Sequence, residues 1–169
     1  MMYVSMIFSA AFIGYSIGVS PIISFHSGAE NYQEVKSLLG KSLKILLVGG
    51  FLMLGASELL ALPLSMIFVS YNQELLDITV HGFRIFSVAF PFMGFAIFGS
   101  GFFTALNDGL TSAAISFLRT LVFQMGAVLL LPHLCGPDGI WMSVVVAEAM
   151  AVLLCAVFLF TKRKKYHYL

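Results

Sequence analysis

The stretch that decides the fold is Ile140–Phe160, IWMSVVVAEAMAVLLCAVFLF, which runs directly into Thr161, Lys162, Arg163, Lys164 and Lys165. Glu148 is the one charge in that run. A bilayer core of about 30 Å needs roughly 20 mostly apolar residues at helical rise, and this segment meets that length. A basic cluster just after such a run marks a cytoplasmic membrane flank more readily than a nucleic-acid patch.

Working outward, four more runs of the same kind precede it: about 3–25, without a charge; about 45–69, containing Glu58; about 81–106; and about 110–134, containing Arg119. The chain as a whole is 60% hydrophobic and 10% charged, with a mean hydropathy of +0.99. A soluble domain carries about 25% charged residues, so a soluble fold of this length could not wet its own surface. The apolar character is spread over separate runs, which a cleaved signal peptide does not explain. The expected fold is therefore an all-α integral membrane domain over 1–169 with spans at 3–25, 45–69, 81–106, 110–134 and 140–160.

The connecting segments support the count. Residues 27–42 are polar and charged and read as a loop or interfacial helix, as do Tyr71, Asn72, Gln73 and Glu74. Asn107-Asp108-Gly109 and Cys135-Gly136-Pro137-Asp138-Gly139 read as tight turns joining antiparallel neighbours. The positive-inside rule places both the 27–42 loop, with Lys36, Lys41 and Lys44, and the basic tail 161–169 on the cytoplasmic side. Four helices separate these flanks, an even number of crossings, so five spans satisfy both signals. That count puts Met1 on the outer face.

Chemistry that lipid would not tolerate marks the candidate site. Glu58, Arg119 and Glu148 sit inside apolar runs, where an ionisable group costs at least about 2.5–3.5 kcal/mol, so each must face protein or water. They read either as internal ion pairs or as groups lining a translocation pathway, with Gln124 and Thr120 widening the stripe of Arg119. On the first helix Ser16, Ser20 and Ser24 share a hydroxyl stripe with Ser5 and Ser9, and Pro21 removes a backbone donor, a pattern that fits a broken helix facing a polar cavity. Ala10, Gly14 and Gly18 form a small-residue face on the same helix, suited to close packing. Pro91 should bend the third span. Asp77, His81 and Arg84 line up at helical spacing and read as a solvated flank.

Other classes find little support. The histidines His26, His81, His133 and His167 lie far apart without metal-ligand spacing, so no metal is expected. Cys135 and Cys155 lie roughly 25 Å apart along a helix, too far to bridge. Gly99-Ser100-Gly101 with His133 offers no oxyanion partner for a serine protease, so no catalytic residue and no enzyme activity are expected.

Gly14, Gly18, Pro21, Ile22, Ile23, Ser24 and then Gly28, Ala29, Glu30, Asn31 resemble a motif of the multidrug and toxic compound extrusion (MATE) transporters. There it has the form proline, two apolar residues, serine, aromatic, Asn, any residue, Gly, Ala, any residue, Asn. This chain departs at His26, where Asn is usual, and at Phe25, where Tyr is common. Phe90-Pro91-Phe92, Leu118-Arg119 and Gly139-Ile140-Trp141 leading to Ala147-Glu148 agree in order. The resemblance implies helices eight to twelve of a twelve-helix exporter, most of its C-terminal six-helix lobe. It further implies Na+ or H+ coupled antiport of hydrophobic or cationic drugs by alternating access, a multi-pass plasma-membrane location, no cofactor beyond the coupling ion, and a requirement for the N-terminal lobe, helices one to seven. On this reading the chain is a fragment or truncated product contacting lipid and small-molecule substrates, not nucleic acid. A lipid-linked oligosaccharide flippase of the same superfamily and a non-transporting scaffold are the alternatives.

Overall fold

A computed structural model describes residues 2–69, 71–166 and 168. Met1, His167 and Leu169, which carry part of the expected tail and termini, lie outside the described residues. Among those described, all regular structure is helical: α1 (Met2–Gly28), α2 (Tyr32–Val69), α3 (Gln73–Ser87), α4 (Phe90–Ala105), α5 (Gly109–Phe117), a π-helical stretch (Leu118–Gln124), α6 (Met125–Cys135) and α7 (Asp138–Tyr166). The helices α1, α2, α7 and the continuous Gly109–Cys135 rod are each long and apolar enough to cross a membrane; the α3–α4 pair makes a fifth span if counted as one bent helix.

α4 is the central element, packed by α1, α2, α5 and α7. Its sequence is apolar apart from Ser100 and Thr104, and Phe90, Met93, Phe98, Phe102 and Phe103 are all buried, as expected of a helix enclosed by others. Its neighbours are buried along one stripe only and turn Ile7, Leu59, Phe68, Phe117 and Leu153 outward. Apolar side chains in that number on an outer surface call for lipid rather than water. Close approach rests on glycines: a Cβ on Gly94 would stand 2.7 Å from the Phe12 ring, and one on Gly50 would stand 2.7 Å from the Pro91 Cα.

The bend in the third span falls where proline chemistry requires it. Pro91 cannot donate to the Ser87 carbonyl, and α3 ends at Ser87; after Val88 and Ala89 the chain restarts as α4 with Pro91 in its first turn, where an N–H is not needed. The two halves meet at 44°. Pro21 behaves otherwise, since α1 continues as one helix to Gly28 and the expected broken helix is not what forms. Lipid-side helices tolerate such a proline when neighbours absorb the freed carbonyl.

The expected 27–42 loop shrinks to a turn at 29–31. Glu30 takes a positive φ of 55°, Asn31 Oδ1 accepts from the Glu34 N–H at 3.4 Å, and α2 begins at Tyr32. Val35, Leu39, Ser42 and Leu46 form its inward stripe while Lys36, Lys41 and Lys44 stay exposed, so the polar segment is the amphipathic start of a long helix. The basic cluster is likewise the last turns of α7, not a free tail. The small-residue face of α1 meets no neighbour: a Cβ at Gly14 or Gly18 would find nothing within 4 Å.

Candidate functional site

Four groupings of polar side chains among the described residues bear on the candidate site. The first joins the π-helical stretch to α7. A π turn accommodates an extra residue and displaces the side chains it carries, and such turns recur at functional sites. Here it carries Arg119, whose Nη2 donates to Glu148 Oε1 at 2.7 Å and whose Nε donates to Glu148 Oε2 at 3.0 Å. The Glu148 side chain is 8% exposed and that of Arg119 23%, so the pair is sheltered on the carboxylate side and open on the other. Gln124, at the end of the same stretch, is exposed.

The second links α2 to the end of α3. Ser87 Oγ, 2.7 Å from both Glu58 Oε1 and the Arg84 carbonyl, shares its proton between them, and Arg84 Nε stands 3.7 Å from Glu58 Oε2. Asp77, His81 and Arg84 are exposed, as expected of a solvated flank; within it Arg84 approaches Glu58, and His81 reaches Asp138 at 3.2 Å. Both of those contacts remain substantially exposed.

The third is a hydroxyl cluster between α4 and α5. Ser100 Oγ lies 2.9 Å from Ser112 Oγ and 2.8 Å from Ser116 Oγ, and Thr104 Oγ1 lies 2.7 Å from Ser112 Oγ. Thr104 also lines an opening of about 420 Å³ with Ser16, Ile17, Ser20 and Pro21 of α1 and Gly101 of α4. Pro21 has no N–H to offer the carbonyl of Ile17 four residues back, and both residues line the same opening as the hydroxyls. Ser24, one turn further along α1, is exposed and outside it.

The fourth ties together one end of the bundle. Asp108, buried in the α4–α5 turn, caps α5 by accepting from the Thr111 N–H at 3.2 Å, accepts from Tyr166 Oη at 2.8 Å, and stands 3.4 Å from Lys162 Nζ. Burial acts to raise its pKa, but the hydrogen bonds from Thr111, Tyr166 and Lys162 outweigh it and hold the carboxyl well below the ordinary aspartate range. The sequence marks Asn107-Asp108-Gly109 only as a turn; an aspartate before a helical run is a capping signal, but nothing local points to Lys162 or Tyr166.

Of the residues singled out from sequence, Ser16, Ser20 and Pro21 share one opening, and Arg119 and Glu148 share another locus as partners. Glu58 and Pro91 meet the hinge region separately, Glu58 through Ser87 and Pro91 through the restart of α4. No group of three His, Cys, Asp or Glu residues with metal-binding geometry occurs among the described residues.

A family model for MatE matches residues 1–129. The chain belongs to the MatE family. No curated protein matches it. Among solved structures, the MatE chain is similar to one described as the inward-facing conformation of a multidrug resistance MATE family transporter of the MOP superfamily, with a TM-score of 0.86 at 18% sequence identity. That match covers 98% of this chain and 38% of the other, so the MatE chain spans well under half the length of that relative. The fold expected from the motif, most of one lobe of a MATE-type transporter, is the fold observed.

Proposed function

We propose that the chain is part of a secondary active exporter that moves hydrophobic or cationic small molecules across the plasma membrane by alternating access, in exchange for Na+ or H+. The observation that carries this reading is the opening between α1 and α4, where the hydroxyls of Ser16, Ser20 and Thr104 offer oxygens on an otherwise apolar surface. Oxygen ligands of this kind replace part of a cation's hydration shell. The bend at Pro91 supplies a joint at which one part of the bundle can tilt against the other. The positive-inside rule orients the chain with the C-terminus cytoplasmic, and helices one to seven of the family architecture, which include the second lobe, are the partner that would close the opening.

The test is flux in proteoliposomes carrying the purified chain and loaded with ethidium, under an imposed Na+ gradient and then an imposed pH gradient. Gradient-dependent ethidium movement, weakened by Ser16→Val with Ser20→Val, is the expected result once the second lobe is supplied. Movement indifferent to both gradients would remove the coupling. Absence of any movement, with no binding of tetraphenylphosphonium to the chain, would leave the scaffold reading in its place.

A further inference from the structure

A second cavity, of about 270 Å³, lies away from the hydroxyl-lined opening. α2 and α7 both pack on α4, and the cavity occupies the space between them, with Phe95, Phe98 and Phe102 of α4 as its floor and Leu43 and Ala156 in its walls. No hydroxyl, amide or charged side chain lines it. A polar or cationic cargo would find nothing there to bond, and burying its polar groups unpaired is unfavourable. A hydrocarbon chain needs no partner and gains from the apolar contact.

One end of this cavity is basic. Leu39 and Leu159 belong to its lining, and Lys36 lies one turn before Leu39 on α2 while Arg163 lies one turn beyond Leu159 on α7. At 1.5 Å per residue and 100° per step, both stand about 4–6 Å beyond the lining on the same helical stripes. They are at one end of the bundle, because α2 begins and α7 finishes there, and the Lys162–Asp108 ion pair fixes the C-terminus of α7 to the α4–α5 turn at that end. Lys36 and Arg163 are both exposed, and neither has an acidic partner among the described residues.

We infer that this cavity is a site for an anionic phospholipid, with one acyl chain lying between α2 and α7 on the α4 phenylalanines and the phosphate held by Lys36 and Arg163. Charge complementarity selects the occupant: a basic pair at the mouth of an apolar slot between helices recognises an acidic headgroup joined to a hydrocarbon tail. The lipid would bridge two helices that both pack on α4, and so brace the bundle at that end. This inference is independent of the transport reading, since the slot is separate from the opening lined by Ser16 and Ser20.

The test is native mass spectrometry of the purified chain titrated with phosphatidylglycerol and with phosphatidylcholine of the same acyl composition. Phosphatidylglycerol should be retained in preference, by on the order of tenfold at low ionic strength. Lys36→Gln with Arg163→Gln, both surface changes, should bring the two lipids to equal retention, and Ala156→Phe, which fills the slot from its wall, should lower retention of both. Inorganic phosphate alone should not compete, because it has no tail. Equal retention of the two lipids by the wild type, or no change in the double variant, overturns the headgroup assignment; unchanged retention in Ala156→Phe overturns the slot. Circular dichroism of each variant separates these results from misfolding.

Discussion

Arg119 and Glu148, on neighbouring helices and separated by 29 positions, form a two-pronged ion pair in which both nitrogens of one edge of the guanidinium reach the two carboxylate oxygens at 2.7 and 3.0 Å. The geometry is that of a fork matched to a carboxylate, which lysine could not reproduce. Glu148 alone would be a buried charge and Arg119 alone a partly sheltered one, so removing one partner leaves the other unpaired. Glu148→Gln or Arg119→Gln should therefore each destabilise the protein by about 2–3 kcal/mol, less than for a fully enclosed pair because Arg119 retains some exposure. The double substitution should lose less than the sum. Thermal unfolding in detergent of the two singles and the double gives the coupling, and strictly additive losses would show that the two groups do not act together.

Much of the architecture was legible before the structure, for a physical reason: in lipid the backbone has few options, so an apolar run of the right length is a helix almost irrespective of its neighbours. The turns at Asn107 and Gly136 were legible because they depend on local chemistry; Gly136 takes a φ of 65°, which favours glycine. The segment from Tyr32 to Ser42 was less so, because its lysines hide a stripe of Val35, Leu39 and Ser42 that becomes meaningful only beside α4. Pairings escaped almost entirely. Glu58 and Arg84 lie on different helices, as do Asp108 and Lys162, and a single sequence fixes which residues need partners without fixing which ones they meet. The uninterrupted course of α1 through Pro21 was also unreadable, since a proline signals a missing hydrogen bond and the surroundings decide whether the helix breaks there.

Glu58 offers a contrast with Glu148. Its side chain is 42% exposed and its arginine stands 3.7 Å away, so the pair contributes no more than about 1 kcal/mol. Glu58→Gln should leave the unfolding temperature nearly unchanged. If Glu58 carries the coupling ion, the same substitution should abolish gradient-driven substrate movement while expression persists. Unaltered movement would make Glu58 part of the α2–α3 joint alone.

The glycines divide into two groups whose substitution should have opposite signs. Gly14 and Gly18 are helical and have open space where a Cβ would go, so Gly14→Ala and Gly18→Ala should be neutral or should stabilise by up to about 1 kcal/mol through helix propensity. Gly50→Ala sets a methyl group 2.7 Å from the Cα of Pro91, against backbone that cannot move aside, and should destabilise by about 1–3 kcal/mol. Melting temperatures of the three variants in one detergent would decide it. A loss of stability at Gly14 or Gly18 would mean that α1 is covered by a second copy of the chain under those conditions.

Asp108 makes the fold sensitive to acid in a defined direction. Its carboxyl is held below the ordinary aspartate range in the folded chain, and an unfolded aspartate titrates near about 3.9, so the unfolded state binds the proton more readily. The stabilisation is complete above that unfolded value and is lost as the pH falls through it toward the folded one. Asp108→Asn keeps an oxygen that can cap α5 at Thr111 but removes the charge that faces Lys162 and accepts from Tyr166. The variant should melt below the wild type at neutral pH, and the two curves should converge as the pH drops under about 4. Tyr166→Phe, which removes one donor and leaves the ion pair, should fall between them. A gap between wild type and Asp108→Asn that is constant from neutral pH down to pH 3 would mean that the carboxylate charge does not hold this end of the bundle, and that the aspartate acts there as a helix cap only.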